Sequence, residues 1–329
     1  MKQMKKVFTL ILISVFLLVT ILTGCSAEVP EPEKPKVINI SYSLRPINVP
    51  TIVALQKKIF EEEFAKAGIE IKWYELEGPA TTEALAAKSI DIATSLNYVS
   101  AIITKANGND IKIISSYSKF PEAIGLLAGV DSGISSVSDL KGKKVALQKG
   151  TMLHEMLIRA LENSNLSTDD VEVINMPSPD AANALLQQHV DAAILPDPIM
   201  ANVISSQKAK LIITAEDIIL GQAVVAARTE FLTNYPEIVK RFLEVHNQTL
   251  DWAENNMDES LKMASNVNEI NIKAVKMLSP KFDFSLGIDN DNIAMLKQSA
   301  SFLQDNDFIK VDANTETLID NLVDTSFLP

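Results

Sequence analysis

One layout that occurs twice, about a hundred residues apart, constrains this chain more than any other feature. In the first copy, residues 69–76 (IEIKWYEL) alternate with the period of a strand, residues 78–80 (GPA) turn, residues 81–87 read as a short helix, and residues 89–93 (SIDIA) read as a second strand. In the second copy, residues 171–176 (VEVINM) are strand, Ser178, Pro179 and Asp180 open a helix that runs to Gln188, and residues 189–193 (HVDAA) are strand again. Ile69 matches Val171, and Glu83-Ala84-Leu85 matches Asn183-Ala184-Leu185. After a two-residue gap, Ser89-Ile90-Asp91 matches His189-Val190-Asp191. Each copy follows a further strand and helix: residues 37–43 and 50–66 (closed by Gly68) in the first case, residues 144–148 and 151–163 in the second. A strand-helix-strand-helix-strand order in both halves predicts an α/β protein of two lobes, each a mostly parallel sheet flanked by helices. Short βαβ units resemble one another on physical grounds alone, so the echo does not require a duplication; two lobes follow either way.

Beyond about residue 225 the texture changes to a series of helices, predicted over residues 236–255, 258–266, 272–278, 290–303 and 315–322. Ile238, Phe242, Val245 and Trp252 recur at helical spacing, so the first of these helices turns an apolar stripe to a core.

The amino terminus says where the fold should reside. Lys2, Lys5 and Lys6 precede an uncharged run from Val7 to Leu22, the layout of a secretory signal, and the run ends in Leu22-Thr23-Gly24-Cys25. Small residues before a cysteine at this place resemble the lipobox of bacterial lipoproteins, with residues 1–24 as signal peptide and Cys25 as the lipidated first mature residue. The alternative is that residues 7–24 remain as an ordinary membrane anchor. Both place the folded part outside the cytoplasm, lipid-anchored at the cell membrane in the first case. Cys25 is the only cysteine, which excludes a disulfide framework and any multi-thiolate metal site. Residues 25–36, with three prolines and alternating charge, read as a flexible linker. Removing residues 1–24 takes away three lysines and no acids, so the formal charge moves from -12 to -15. So acidic a chain will not hold nucleic acid by bulk electrostatics.

In open parallel sheets a ligand sits beyond the carboxyl ends of the strands, where loops lead into helix N-termini. The corresponding loops are residues 43–47, 77–80, 94–98, 118–121, 149–152, 178–180 and 195–198. Several place glycine or proline beside a hydroxyl or amide residue, leaving backbone N–H groups to face an anion. Arg45, one of four arginines, follows a strand on the same side; it is either a bidentate clamp for a sulfonate, phosphate or carboxylate, or a surface arginine. Glu122 and Asp197 would accept an amine or hydroxyl, or else cap helices and form hinge salt bridges. Catalytic constellations are missing: His154-Glu155 begins like a zinc-protease helix but Ile158 stands where the second histidine belongs, and neither GxSxG nor a phosphate loop occurs. The chain is therefore read as a non-enzyme without metal or cofactor.

Leu55 to Phe64 (LQKKIFEEEF), Gly78-Pro79-Ala80 with Glu83-Ala84-Leu85, residues 103–108 (ITKANG), Asp131-Ser132-Gly133 leading to residues 139–145 (DLKGKKV), residues 148–151 (QKGT), Asp191-Ala192-Ala193 and Asp197-Pro198 occur in an order that resembles the periplasmic binding proteins of nitrate, sulfonate and taurine ABC importers, close to the aliphatic-sulfonate branch. The resemblance implies the two-lobe periplasmic binding protein type II fold, with lobe 1 formed by residues 37–125 and 226–329 and lobe 2 by residues 126–225. Two hinge crossings are expected near Ile124 to Gly129 and Ala223 to Arg228. Ligand positions carry over onto Gly78, Pro79, Ala80, Glu122, Gly150, Thr151, Asp197 and Pro198, and Met152 and Lys119 stand in the same loops. Ser95 and Asn97 occupy a loop where relatives often have Gly-Asp. Pro196 and Ile199 flank Asp197-Pro198 where the family commonly has an aromatic residue and a tyrosine, so the pocket either lacks an aromatic wall or takes one from Tyr98 and Phe120. The implied role is a monomeric solute receptor that delivers a small organic anion, such as an alkylsulfonate or taurine, to an ABC permease and its ATPase. Alternatives are a receptor for a thiamin pyrimidine precursor or other nitrogen heterocycle, a pyrimidine-synthase-like enzyme, which would need a cysteine-rich motif, and a sensor module, disfavoured because Leu328-Pro329 ends the chain without a second span.

Overall fold

The structure, a computed structural model, describes residues 34–44, 47–310 and 314–329. Cys25, the predicted signal peptide, nearly all of the linker and Arg45 lie outside the described residues. In chain order the elements are β1 (Val37–Tyr42), α1 (Val49–Lys57), α2 (Ile59–Ala65), β2 (Glu70–Glu75), α3 (Pro79–Ala86), β3 (Ile92–Asn97), α4 (Tyr98–Ala106), β4 (Ile111–Lys119), β5 (Ile124–Gly129), β6 (Lys144–Leu147), α5 (Met152–Asn163), β7 (Glu172–Asn175), α6 (Ser178–Leu186), β8 (Ala192–Pro196), α7 (Ile199–Ser205), β9 (Ala209–Thr214) and β10 (Gln222–Arg228). Six helices follow: α8 (Thr229–Asn234), α9 (Pro236–Asn255), α10 (Met257–Val267), α11 (Ile272–Leu278), α12 (Asn290–Asp305) and α13 (Thr315–Leu322). No described helix is long and apolar enough to cross a membrane.

The strands form two five-stranded sheets of the same design, ordered β2-β1-β3-β10-β4 and β7-β6-β8-β5-β9. In each, three strands pair in parallel through βαβ units, and one antiparallel strand, β10 or β5, is inserted before the edge strand. Those two inserted strands are the segments in which the crossings were expected. The chain leaves the first sheet after β4, enters the second as β5, leaves it after β9 and returns as β10, so the passages themselves fall in residues 120–123 and 215–221. They run side by side: the Phe120 N–H donates to the Gly221 carbonyl at 2.8 Å and the Ala215 N–H to the Pro121 carbonyl at 3.3 Å. Gly221 is required there, because its φ is +52° and a Cβ would lie 2.8 Å from the Cα of Pro121.

The repeated sequence layout has a structural reason. Lys88 and Gln188 both adopt left-handed conformations that end α3 and α6. The next residues, Ser89 and His189, both donate their N–H at 2.9 Å to a carbonyl five residues back, Ala84 or Ala184. Asp91 then accepts the Asn39 N–H at 2.8 Å and Asp191 the Lys144 N–H at 2.8 Å, so each aspartate fixes the first rung of the neighbouring parallel strand. Asp91 is held in addition by Arg228, the return of the chain to the first sheet.

The helix predicted over residues 50–66 is two helices. Lys58, with φ +54°, breaks it and re-aims α2, so that Phe60 reaches the Trp73 ring at 5.5 Å and the Phe242 ring at 5.0 Å. Phe60, Phe64 and Phe242 are fully buried, and each such side chain contributes roughly 1.5–3 kcal/mol by leaving water. That return offsets the left-handed residue, which costs about 1–2 kcal/mol. The stripe on α9 is confirmed in its inward half: Phe242 and Val245 are buried with Val239, Leu243 and His246, whereas Trp252 is half-buried under the Lys57 ammonium, 3.9 Å from its ring centre.

Candidate functional site

The carboxyl ends of strands from both sheets open on one cavity of about 830 Å³. Ser43 follows β1, Leu76 to Gly78 follow β2, Asn97 ends β3, Phe120 follows β4, Gln148 to Thr151 follow β6, and Pro196 to Pro198 end β8; all line it. Helix starts face it as well. Helix α3 begins on Gly78, whose φ is +56° and which offers no capping side chain. Helix α4 begins on Asn97, whose Oδ1 accepts the Val99 N–H at 2.9 Å. Helix α5 begins on Thr151, whose Oγ1 accepts the Leu153 N–H at 3.2 Å and donates to the Gln148 carbonyl at 2.8 Å. Ser178, in the first turn of α6, completes the ring. Each start brings about half a positive charge to the cavity, worth about 0.3–1 kcal/mol to an anion and up to ~2 kcal/mol where water is excluded.

Side chains divide the wall by chemistry. Lys149 is the single cationic side chain among the described lining residues, while Glu77 and Glu83 are acidic. Apolar surface comes from Leu76, Ile103, Phe120, Ile124, Met152 and Ile199, enough to take an alkyl chain. Ser95 is unusual: it sits in a bulge of β3 with φ +55°, and its hydroxyl is shut from water without a partner. His154, one turn into α5, is held neutral: burial first, and then the nearby Lys149 ammonium, lower its pKa to about 4. At neutral pH it is therefore an uncharged imidazole and adds no positive charge to the wall.

Of the residues expected to meet a ligand, Gly78, Pro79, Ser95, Asn97, Phe120, Gly150, Thr151, Met152, Asp197 and Pro198 come together on this wall. Four do not. Ala80 is exposed on the first turn of α3, outside the cavity wall. Tyr98 is fully buried beneath the wall, where its hydroxyl donates to Glu155, and burial together with that carboxylate raises its pKa well above the ordinary range. Lys119, whose backbone pairs with Asp283, is not on the cavity wall, and Glu122 is exposed on the turn between the sheets. The aromatic wall is therefore Phe120, braced by the Phe282 ring at 5.5 Å, and not Tyr98. Asp197 reaches the cavity but its carboxylate is occupied: Oδ1 accepts the Ala201 N–H at 2.9 Å, capping α7, and Oδ2 pairs with Lys281 at 2.6 Å. Among lining residues not singled out from the sequence, Lys149 and Ser178 stand in loops that the helix-start rule had identified. Asn268 and Ile270 follow the C-terminal end of α10, where no such rule points.

Comparison with known proteins gives this geometry a context. Residues 49–260 match the family model described as NMT1/THI5 like. A Bacillus subtilis (strain 168) protein named for binding aliphatic sulfonates is 29% identical over 303 residues, covering 92% of this chain and 90% of its own. Two solved structures superpose over most of the molecule. The periplasmic aliphatic sulphonate binding protein SsuA of Escherichia coli has a TM-score of 0.77 at 21% identity, covering 84% of this chain and 89% of that one. The alkanesulfonate-binding protein SsuA of Xanthomonas axonopodis pv. citri, solved bound to MOPS, also has a TM-score of 0.77, at 22% identity, covering 88% and 99%. At these identities the two structures establish the fold, that of a periplasmic binding protein.

Proposed function

The chain belongs to the NMT1/THI5-like family, and from that premise we propose that it is an extracytoplasmic solute-binding protein of an ABC importer, capturing a small organic sulfonate between its two sheets. The work is capture, not catalysis. The observation that carries this reading is the ring of helix starts at Gly78, Asn97, Thr151 and Ser178 around a cavity with a single described cation, Lys149. Such a site satisfies a weakly basic, three-oxygen anion by backbone N–H groups, while Leu76, Ile103, Phe120 and Met152 shield its carbon chain. Lipidation of Cys25 would keep the receptor beside its permease. The lobes assigned above would close on the ligand as a hinge and present the closed form to the permease.

An amino-pyrimidine ligand loses its two expected acceptors, because Asp197 is already paired with Lys281 and Glu122 lies away from the cavity. A thermal-shift series tests the proposal. Alkanesulfonates and taurine raise the melting temperature in a dose-dependent way. A rise with a formylaminopyrimidine and none with any sulfonate transfers the site to the heterocycle reading.

A further inference from the structure

Glu155 is fully buried and makes no contact with the cavity, yet it joins the elements that form it. It lies on the first turns of α5, which packs on β8 of the second sheet. Its Oε2 accepts the Tyr98 hydroxyl at 2.7 Å, and its Oε1 accepts the Ser299 hydroxyl at 2.6 Å. Tyr98 begins α4 and Ser299 lies on α12, both of which pack with the first sheet or with each other. Arg159, one turn along α5, neutralises the carboxylate through Nε and Nη2, both at 2.8 Å. Aromatic contacts surround this polar centre: the Arg159 guanidinium lies 5.7 Å from the Phe302 ring, and His154 meets Phe308 edge-on at 5.5 Å.

Arg159 lies on the same helix as Glu155, so what joins the two surfaces is the buried carboxylate with the Tyr98 and Ser299 hydroxyls, a costly join, since well-packed apolar residues in place of buried charge are often as stable or more so. Its distinguishing property is that it is satisfied in one arrangement only. If α5 moves away from α4 and α12, Tyr98 and Ser299 leave together and the carboxylate must find water. Apolar surfaces, by contrast, slide with gradual loss. The placement matters as well, because Tyr98 directly follows Asn97 and Glu155 stands four residues after Thr151, the two capping residues on the cavity wall.

We infer that Glu155 is a positioning residue for ligand capture: a latch that holds the α5 helix start against the α4 helix start, and so sets how long the closed cleft retains its solute. The inference rests on the sulfonate reading for its kinetic consequence, but the latch itself is a property of the ligand-free protein.

Two measurements on Glu155→Gln, Tyr98→Phe and Ser299→Ala test it. The first is small-angle scattering of the protein without ligand. A latch predicts a larger radius of gyration for Glu155→Gln than for the unaltered chain, with the other two variants in between; unchanged radii in all three overturn it. The second is association and dissociation of ethanesulfonate by stopped flow. Loss of a hydrogen bond to a charged group predicts dissociation faster by about tenfold or more in Glu155→Gln, with association changed far less. Lowered melting temperature with both rates unaltered overturns the latch and leaves Glu155 a packing residue. Tyr98→Phe and Ser299→Ala each remove one hydroxyl, so they keep the test decisive if Glu155→Gln does not fold. Absence of ethanesulfonate binding in the unaltered protein contradicts the proposed function, and the scattering result then decides the latch alone.

Discussion

The Lys281 ammonium lies 2.6 Å from Asp197 Oδ2, and the aspartate side chain is wholly buried while the lysine is 27% exposed. The pair connects the end of β8 in the second sheet to the turn after α11, whose next residues, Phe282 to Phe284, pack beside β4 of the first. Asp197 thus holds the site together from behind. The sequence left it either an acceptor for a ligand or a helix cap with a hinge salt bridge, and the structure has the second, although a lone Asp-Pro after a strand does not point to a lysine 84 residues away.

A double-mutant cycle on Asp197→Asn and Lys281→Met should report coupling of about 1.5–3 kcal/mol, the range for hydrogen bonds to charged groups. Lys281→Met alone should destabilise most, by about 3–5 kcal/mol, because it strands a buried carboxylate. Denaturant unfolding of the four proteins gives both numbers, and coupling near zero contradicts the assignment.

Ser95→Gly relieves a left-handed residue and removes a buried hydroxyl without a partner. It should raise stability by about 1–2 kcal/mol in thermal or denaturant unfolding. Ser95→Ala keeps the backbone strain and should gain less. Equal effects of the two substitutions would mean that the bulge carries no strain.

Gly221→Ala places a methyl group against the Pro121 backbone at a φ of +52°. Since Pro121 is main chain in the other passage, neither side can yield cheaply. The expected loss is about 2–3 kcal/mol, read as a fall in melting temperature. A change within experimental error would show that the two passages are free to part.

His246 is buried against the Tyr117 ring, at 5.6 Å between centroids, with Nε2 unpartnered, and desolvation lowers its pKa from 6.5 to about 4. The unfolded chain therefore binds a proton that the folded chain refuses between those two values. Stability is retained above pH 6.5 and falls as the pH is lowered toward 4, by about 3 kcal/mol at most from this residue. His246→Phe should flatten that part of the stability profile. A slope unchanged in the variant would place the acid sensitivity elsewhere.

These residues show where reading the sequence succeeds and where it stops. Hydrophobic period, helix-start chemistry and the repeated Asp91 and Asp191 segments are local signals, and they located the parallel strands, most helices and the loops around the cavity. The insertion of β5 and β10 is a long-range fact that rests on pairing with strands distant in the chain and on the close approach of Gly221 to Pro121. The split at Lys58 depends on Trp73 and Phe242 arriving from elsewhere in the chain. Loop membership alone could not separate Phe120, which faces the cavity, from Tyr98, which turns inward to Glu155: direction is set by the partner, and that partner lies 57 residues on.

The account stands on the cleft being built for a sulfonate. Calorimetric titration of the protein with ethanesulfonate, set against propionate and ethylamine, measures this directly. Saturable one-to-one binding of the sulfonate, with the carboxylate weaker and the amine silent, is the predicted result. Tight binding of ethylamine, or no heat from any sulfonate, would contradict it.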